Sequence, residues 1–262
     1  MLSARSLFQE IVDNDDSFQL FCSIAASGEA QGGWENGRIA ALVPAGMRHL
    51  APKITRHGAD EDKHGRIFNA LLRKRGLPPV PVPLETDYTM LLERHGIGLA
   101  HDKLRREEPL TEEDILVYLS HSRVTEQRAA DQMEMLVKNF GDHPEVGKAI
   151  HMISDDEDNH LAYCHEELLR LAHEGHGRTI QRVLRESALA EIAIYRDVSL
   201  AVMGHMGRLL KWPAPKAAVL AAGIRGMYAY ERFSGWHRMV GLRMPERRDA
   251  LGGAPTSAAG LA

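Results

Sequence analysis

The sequence predicts an all-α bundle with a long crossover and additional C-terminal helices, on three observations. Apolar residues recur at helical spacing along most of the chain. Strand signals are scarce, with β-branched residues dispersed and no Asn-Gly or Asp-Gly hairpin between alternating runs. Capping and stop signals divide the chain into segments of long-helix size.

The first helix is expected over residues 15–42, capped by Asp15 or Asp16 and followed by Pro44. Its glycines, Gly28, Gly32, Gly33 and Gly37, each cost about 1 kcal/mol relative to alanine. They mark either close backbone approach or a locally irregular helix. A second helix is expected over 46–75, kinked at Pro52 and closed by Gly76. Leu77 to Pro83 (LPPVPVP) breaks it, and residues 84–110 read as an inserted crossover with one short helix at most. Thr111 and Asp114 resemble a capping box opening a third helix through Phe140, stopped at Gly141. Pro144 sits near the first turn of a fourth helix reaching His173. Apolar-periodic segments over 179–211 and 214–241 follow, split by Trp212 and Pro213. Residues 1–242 are read as one domain and the small-residue tail 243–262 as disordered.

The composition is that of a globular chain: 262 residues, 44% hydrophobic and 26% charged. A net charge of −4 lacks the basic footprint of a nucleic-acid binder. No apolar run approaches membrane length, and the N-terminus turns acidic where a signal peptide is apolar, so a cytoplasmic protein without a membrane partner is expected. Two cysteines, Cys22 and Cys164, make neither a disulfide framework nor a zinc site.

Two pentapeptides nearly repeat, DEDKH at 60–64 and DEDNH at 156–160. Each sets Glu and His three residues apart, on one face of a helix, where a carboxylate and an imidazole can meet one metal ion. With 21 Glu and 14 His in the chain, random placement gives roughly one such pair, so the spacing alone is weak. Its context is stronger. Glu29 precedes Glu61 by 32 residues and Glu126 precedes Glu157 by 31. A climb up one helix and back down the next returns the chain to the same height, so each upstream glutamate could face its own Glu-x-x-His. Glu29, Glu61, His64, Glu126, Glu157 and His160 then supply four carboxylates and two imidazoles, suited to two divalent ions. Glu35 competes with Glu29, and both cannot point inward from a regular helix. Glu29 keeps the symmetry of the halves. His57 shares the face of Glu61 and His64, as a hydrogen-bonding neighbour of the site or as a core histidine.

This ligand set resembles that of the ferritin-like di-iron and di-manganese carboxylate proteins, over about residues 15–175. The resemblance implies that Glu61 and Glu157 bridge the metals, that Glu29 and Glu126 are terminal or bridging carboxylates, and that His64 and His160 give nitrogen. The aspartate before each glutamate is similar to the DExxH pattern of di-iron oxygenases. It implies that Asp60 and Asp156 orient the ligand histidines. There is no C-x-x-C pair for a rubrerythrin-type iron centre, Phe68 stands where a radical-forming tyrosine is expected, and Asn36 stands where storage ferritins carry tyrosine. What remains is similar to single-chain di-iron oxygenases and oxidases, such as aldehyde-deformylating oxygenases and tRNA hydroxylases. The resemblance therefore implies two Fe ions (or Mn, or mixed Fe/Mn), dioxygen, a small-molecule organic substrate and an external electron donor. Spare apolar segments leave room for a homodimer. Two other readings stay open at this point, a ferroxidase that handles iron and a metal-free interaction bundle.

Overall fold

The computed structural model describes residues 3–242, all of whose regular structure is helical. A helix not expected from the sequence, α1 (Ala4–Asp13), comes first. Ser3 and Ser6 cap it reciprocally, side chain to backbone. Next is α2 (Asp15–Leu42), whose cap is Asn14 and not Asp15 or Asp16: the Asn14 carboxamide accepts from the Ser17 amide at 3.0 Å. The two aspartates instead occupy the first turn, where the helix dipole favours negative charge.

A 3-10 turn (Ala45–Leu50) leads into α3 (Ala51–Lys74). Pro52 therefore sits in the first turn of α3 and makes no mid-helix kink, because a first-turn amide needs no partner. Gly76 ends this helix at φ +70°, with its amide and that of Leu77 bonded back to Arg73 and Leu72. The crossover is more ordered than expected, with a 3-10 turn (Leu84–Thr86) and two short helices, α4 (Tyr88–Arg94) and α5 (His101–Leu104). Asp87 caps α4 by accepting from the Met90 amide. The capping box at Thr111 and Asp114 opens α6 (Glu112–Phe140), as the sequence indicated.

Gly141 closes α6, and α7 (Gly147–Leu171) begins three residues after Pro144. A π-helical turn (Ala172–His176) joins α7 to α8 (Gly177–Leu209), and Gly175 takes φ +108° there. The last segment expected as one helix is α9 (Ala214–Tyr230), a π turn (Glu231–Gly235) and α10 (His237–Val240). The tail expected to be disordered lies outside the described residues.

Helix α2 packs along α3 and α6 along α7, the two pairs meet through α3 and α7, and α8 lies on α6 with α9 on α8. The main core takes Leu50 and Ile54 from the α3 side, Ile115 and Leu119 from α6, Leu168 and Leu171 from α7, and Ile180 and Leu184 from α8. Each such side chain contributes about 1.5–3 kcal/mol on burial.

Of the four glycines singled out on α2, Gly33 serves close approach. A Cβ at Gly58 on α3 would lie 3.1 Å from the Gly33 carbonyl oxygen, whereas one at Gly37 would meet open space. Gly58→Ala is expected to cost about 1–3 kcal/mol by wedging the two helices apart. Gly37→Ala should instead gain up to about 1 kcal/mol from helix propensity. Thermal denaturation of the two variants checks the contrast.

Candidate metal centre

Four helices each turn part of one stripe into the same buried space. From α2 comes Glu29; from α3 come His57, Glu61 and His64; from α6 comes Glu126; from α7 come Glu157 and His160. Two sets of ligand atoms converge there, Glu29 with Glu61 and His64, and Glu61 with Glu126, His160 and His57, each set within 4.8 Å. Glu61 belongs to both. Glu157 spans them, with one oxygen 3.5 Å from His64 Nδ1 and the other 3.7 Å from His160 Nδ1.

Glu29 reaches His64 Nδ1 at 3.3 Å, while Glu35 turns away to His101 Nε2 at 2.7 Å. Six residues round the helix from Glu29, Glu35 meets a different neighbour on α5. Gly32 keeps the room beside Glu61 free, since a Cβ there would lie 3.2 Å from its Oε2.

Asp60 and Asp156 cross over, each meeting the histidine of the other pentapeptide. Asp156 Oδ2 is 3.0 Å from His64 Nε2, and Asp60 Oδ2 is 3.5 Å from His160 Nε2. Lys63 ties the two aspartates together, with its ammonium 3.1 Å from Asp60 and 2.5 Å from Asp156. Burial is the largest influence on Asp60 and raises its pKa, but Lys63 and His160 together outweigh it and the net shift is downward. With its Nε2 edge facing an aspartate, each histidine turns Nδ1 toward the glutamates, the second-sphere arrangement that fixes an imidazole for metal ligation.

His57 lies deeper in the site than its sequence position alone indicated. Its Nε2 is 2.9 Å from Glu61 and 3.4 Å from Glu126, and its ring stacks on His160 with centroids 3.9 Å apart. On its other side Nδ1 is 2.8 Å from the Tyr163 hydroxyl, which is 2.7 Å from the Tyr118 hydroxyl, and Tyr118 donates to Asn36 Oδ1 at 2.7 Å. Because Tyr118 donates to Asn36, it accepts from Tyr163, and Tyr163 in turn accepts from His57 Nδ1–H. That order leaves Nε2 as the nitrogen facing the carboxylates. Sequence reasoning missed Tyr163, Tyr118 and Asn36 as a chain; the available signal was Tyr163 at three residues beyond His160, on the ligand face.

The electrostatics are those of a place built to be neutralised. Burial, and then the charge of Glu61, raises Glu29 well above the carboxylate range, and burial does the same to Glu157. For His57 and His160 burial acts downward, yet neighbouring glutamates push them up to about 9 and about 11. Without a metal, protons must therefore compensate the clustered charge. His160 makes no hydrogen bond through either ring nitrogen although it is 2% exposed. Its Nδ1 stands 3.7–3.8 Å from three glutamates. Donor atoms around one ion at about 2.1 Å stand about 3.0–3.4 Å apart, so a small inward movement would suit an ion. Carboxylate oxygen and imidazole nitrogen are donors that iron and manganese both accept, and the residues present fit such a pair.

Phe68 and the two cysteines lie in apolar clusters. Cys22 and Phe68 join an apolar cluster with Leu72 and Phe140, and Cys164 lies in the main core. Burial pushes the Cys22 thiol up to about 12 and raises Cys164 as well, so both are inert thiols. No helix among the described residues is long and apolar enough to cross a membrane. Comparison with known proteins gives no match, whether to family models, to curated proteins or to solved structures.

Proposed function

We propose that this chain is a ferritin-like, non-haem di-iron oxygenase or oxidase, acting in the cytoplasm on a small organic substrate with electrons from an external donor. The observation that carries the reading is the pair of ligand sets joined by Glu61 and spanned by Glu157, an arrangement suited to two ions a few ångströms apart. Two irons, or an iron–manganese pair, would supply dioxygen activation when bound. Glu29, Glu61, Glu126, Glu157, His64 and His160 would hold them, with His57 in ligating distance of the second set.

The chain's own residues supply orientation, dryness and a place for protons. Asp60 and Asp156 hold the two imidazoles, and Lys63 offsets the aspartates' charge. The packed helices keep bulk water from a space whose carboxylates would otherwise bind it. His57, between two glutamates and Tyr163, is placed to pass a proton between the site and the buried hydroxyls of Tyr163 and Tyr118.

Dioxygen uptake by the anaerobically Fe(II)-loaded chain tests the reading. Wild type is expected to develop an oxygen-dependent absorption band and to consume dioxygen faster when an oxidisable organic substrate is present. His160→Ala should do neither. Rapid Fe(II) oxidation with release of Fe(III), indifferent to every organic compound tried, would replace this reading with iron handling.

A further inference from the structure

The chain buries two arginines on α6 and treats them differently. Arg128 is clasped by Glu191 and Glu231, with four bonds of 2.8–3.0 Å. Arg123, 4% exposed, pairs with no carboxylate among the described residues. Its Nε donates to His165 Nδ1 at 3.4 Å and its Nη2 to the Gly241 carbonyl at 3.1 Å, while Nη1 has no partner. Because His165 Nδ1 accepts, a neutral His165 carries its hydrogen on Nε2, and that nitrogen is also buried and without a partner. Burial and then the Arg123 charge hold His165 down to about 4, which keeps it a neutral donor at physiological pH. Ser120 lies three residues before Arg123, on the same face of α6, and its buried hydroxyl is unpartnered too. A buried cation with one idle N–H, next to a histidine and one helical turn from a serine that each bury an unpartnered donor, is an arrangement that proteins avoid unless something fills it.

We infer that Arg123 anchors a binding site for a small monocarboxylate through its free Nη1, with His165 holding the guanidinium in place from the Nε edge. One uncompensated guanidinium balances one negative charge, and its planar fork matches a carboxylate. The position is informative. Arg123 is three residues before Glu126 on α6, and His165 is five after His160 on the antiparallel α7, so both are displaced toward the same end of the bundle. The offset along α6 is about 4.5 Å. A carboxylate held there sets the rest of its molecule beside the metal ligands; this placement as substrate rests on the oxygenase reading, whereas the binding does not. Val240, next to the Gly241 that Arg123 holds, lines a groove of about 780 Å³ that carries Arg178, Arg182 and Arg185 against one carboxylate, Glu186, which pairs with Arg182.

Isothermal titration of the full chain with octanoate, octanamide and inorganic phosphate tests the site, with and without bound metal. Octanoate is expected to bind one to one in both states, at least tenfold more tightly than the neutral octanamide or phosphate. Arg123→Gln should weaken octanoate at least tenfold, and Arg123→Lys less. His165→Phe should also weaken it, and gives a second reading should Arg123→Gln fail to fold. Equal binding of octanoate and octanamide, equal binding of phosphate, or wild-type affinity in Arg123→Gln would each overturn the proposal. So would binding seen only in Glu246→Gln/Asp249→Asn, which would show that the chain's own carboxylates fill the place. If the wild-type chain retains no Fe(II) and still binds octanoate, the oxygenase reading falls and this site stands.

Discussion

Loaded anaerobically with Fe(II), the wild-type chain is expected to retain two ions, and Glu61→Ala to lose tight binding of both. Glu61 is the carboxylate shared by the two ligand sets, so its removal opens each. Glu126→Ala removes a ligand atom from one set and should leave one ion tighter than the other. Asp156→Asn touches no metal ligand position directly but loosens His64, and is expected to weaken affinity about 10–100-fold. Proton release supplies an independent readout. His57 and His160 sit above their ordinary pKa, at about 9 and about 11, so at pH 7 the metal-free site holds protons on both imidazoles, and burial shifts Glu29 and Glu157 toward the protonated form as well. Metal ligation needs them deprotonated; loading must therefore acidify a weakly buffered solution, and affinity must rise with pH. At 100 times the dissociation constant, bound metal should stabilise the fold by about 2.7 kcal/mol, seen as a higher Tm. Titration followed by metal analysis, a pH indicator and thermal denaturation decides it. Two ions retained by Glu61→Ala, or loading without proton release, would sink the dinuclear site.

That the glutamates converge was legible because helix periodicity is a one-chain property. Thr111 with Asp114, and Glu-x-x-His at 61–64 and 157–160, fix faces and starting points without reference to any other helix. The spacing of 31–32 residues then carries that information across one short turn. What depends on rotation and register between helices was not legible. The crossing of Asp60 to His160 and Asp156 to His64 needs the height of α3 against α7, and two long segments leave that open. The same holds for the Tyr163–Tyr118–Asn36 chain, which draws on three helices, and for Arg123 facing His165. That the crossover holds two short helices, α4 and α5, where one at most was expected, was not legible for a different reason. Helices of seven and four residues have too few turns for periodicity, and contacts to α8 and α2 hold them in place.

Arg128→Ala is expected to be the most destabilising single substitution away from the candidate metal centre, at about 3–5 kcal/mol. Arg128 joins α6 to Glu191 on α8 and to Glu231 in the π turn after α9, and its guanidinium lies over the rings of Tyr195 and Tyr228. The Tyr88 hydroxyl donates to Glu191, and Arg238 adds a second cation at Glu231. Removing Arg128 leaves Glu191, a fully buried carboxylate, with only Tyr88. Burial already raises Glu191 against the pull of Arg128, so without the arginine its folded-state pKa climbs further above the unfolded value. A carboxyl raised on folding binds more protons in the native state, and stability then falls as pH rises above the unfolded carboxylate pKa. The deficit of Arg128→Ala should therefore be smaller at pH 5 than at pH 8. Replacing all three members, Arg128→Met with Glu191→Leu and Glu231→Leu, removes the charges together and should cost far less than the single change. Arg238 would remain, close enough to the surface to be solvated. Denaturant titrations of the single and triple variants at both pH values separate the cost of an orphaned buried charge from the net worth of the ionic cluster. A single-variant deficit under about 1 kcal/mol, flat with pH, would mean that water reaches Glu191 and that apolar contacts alone hold α8 on α6.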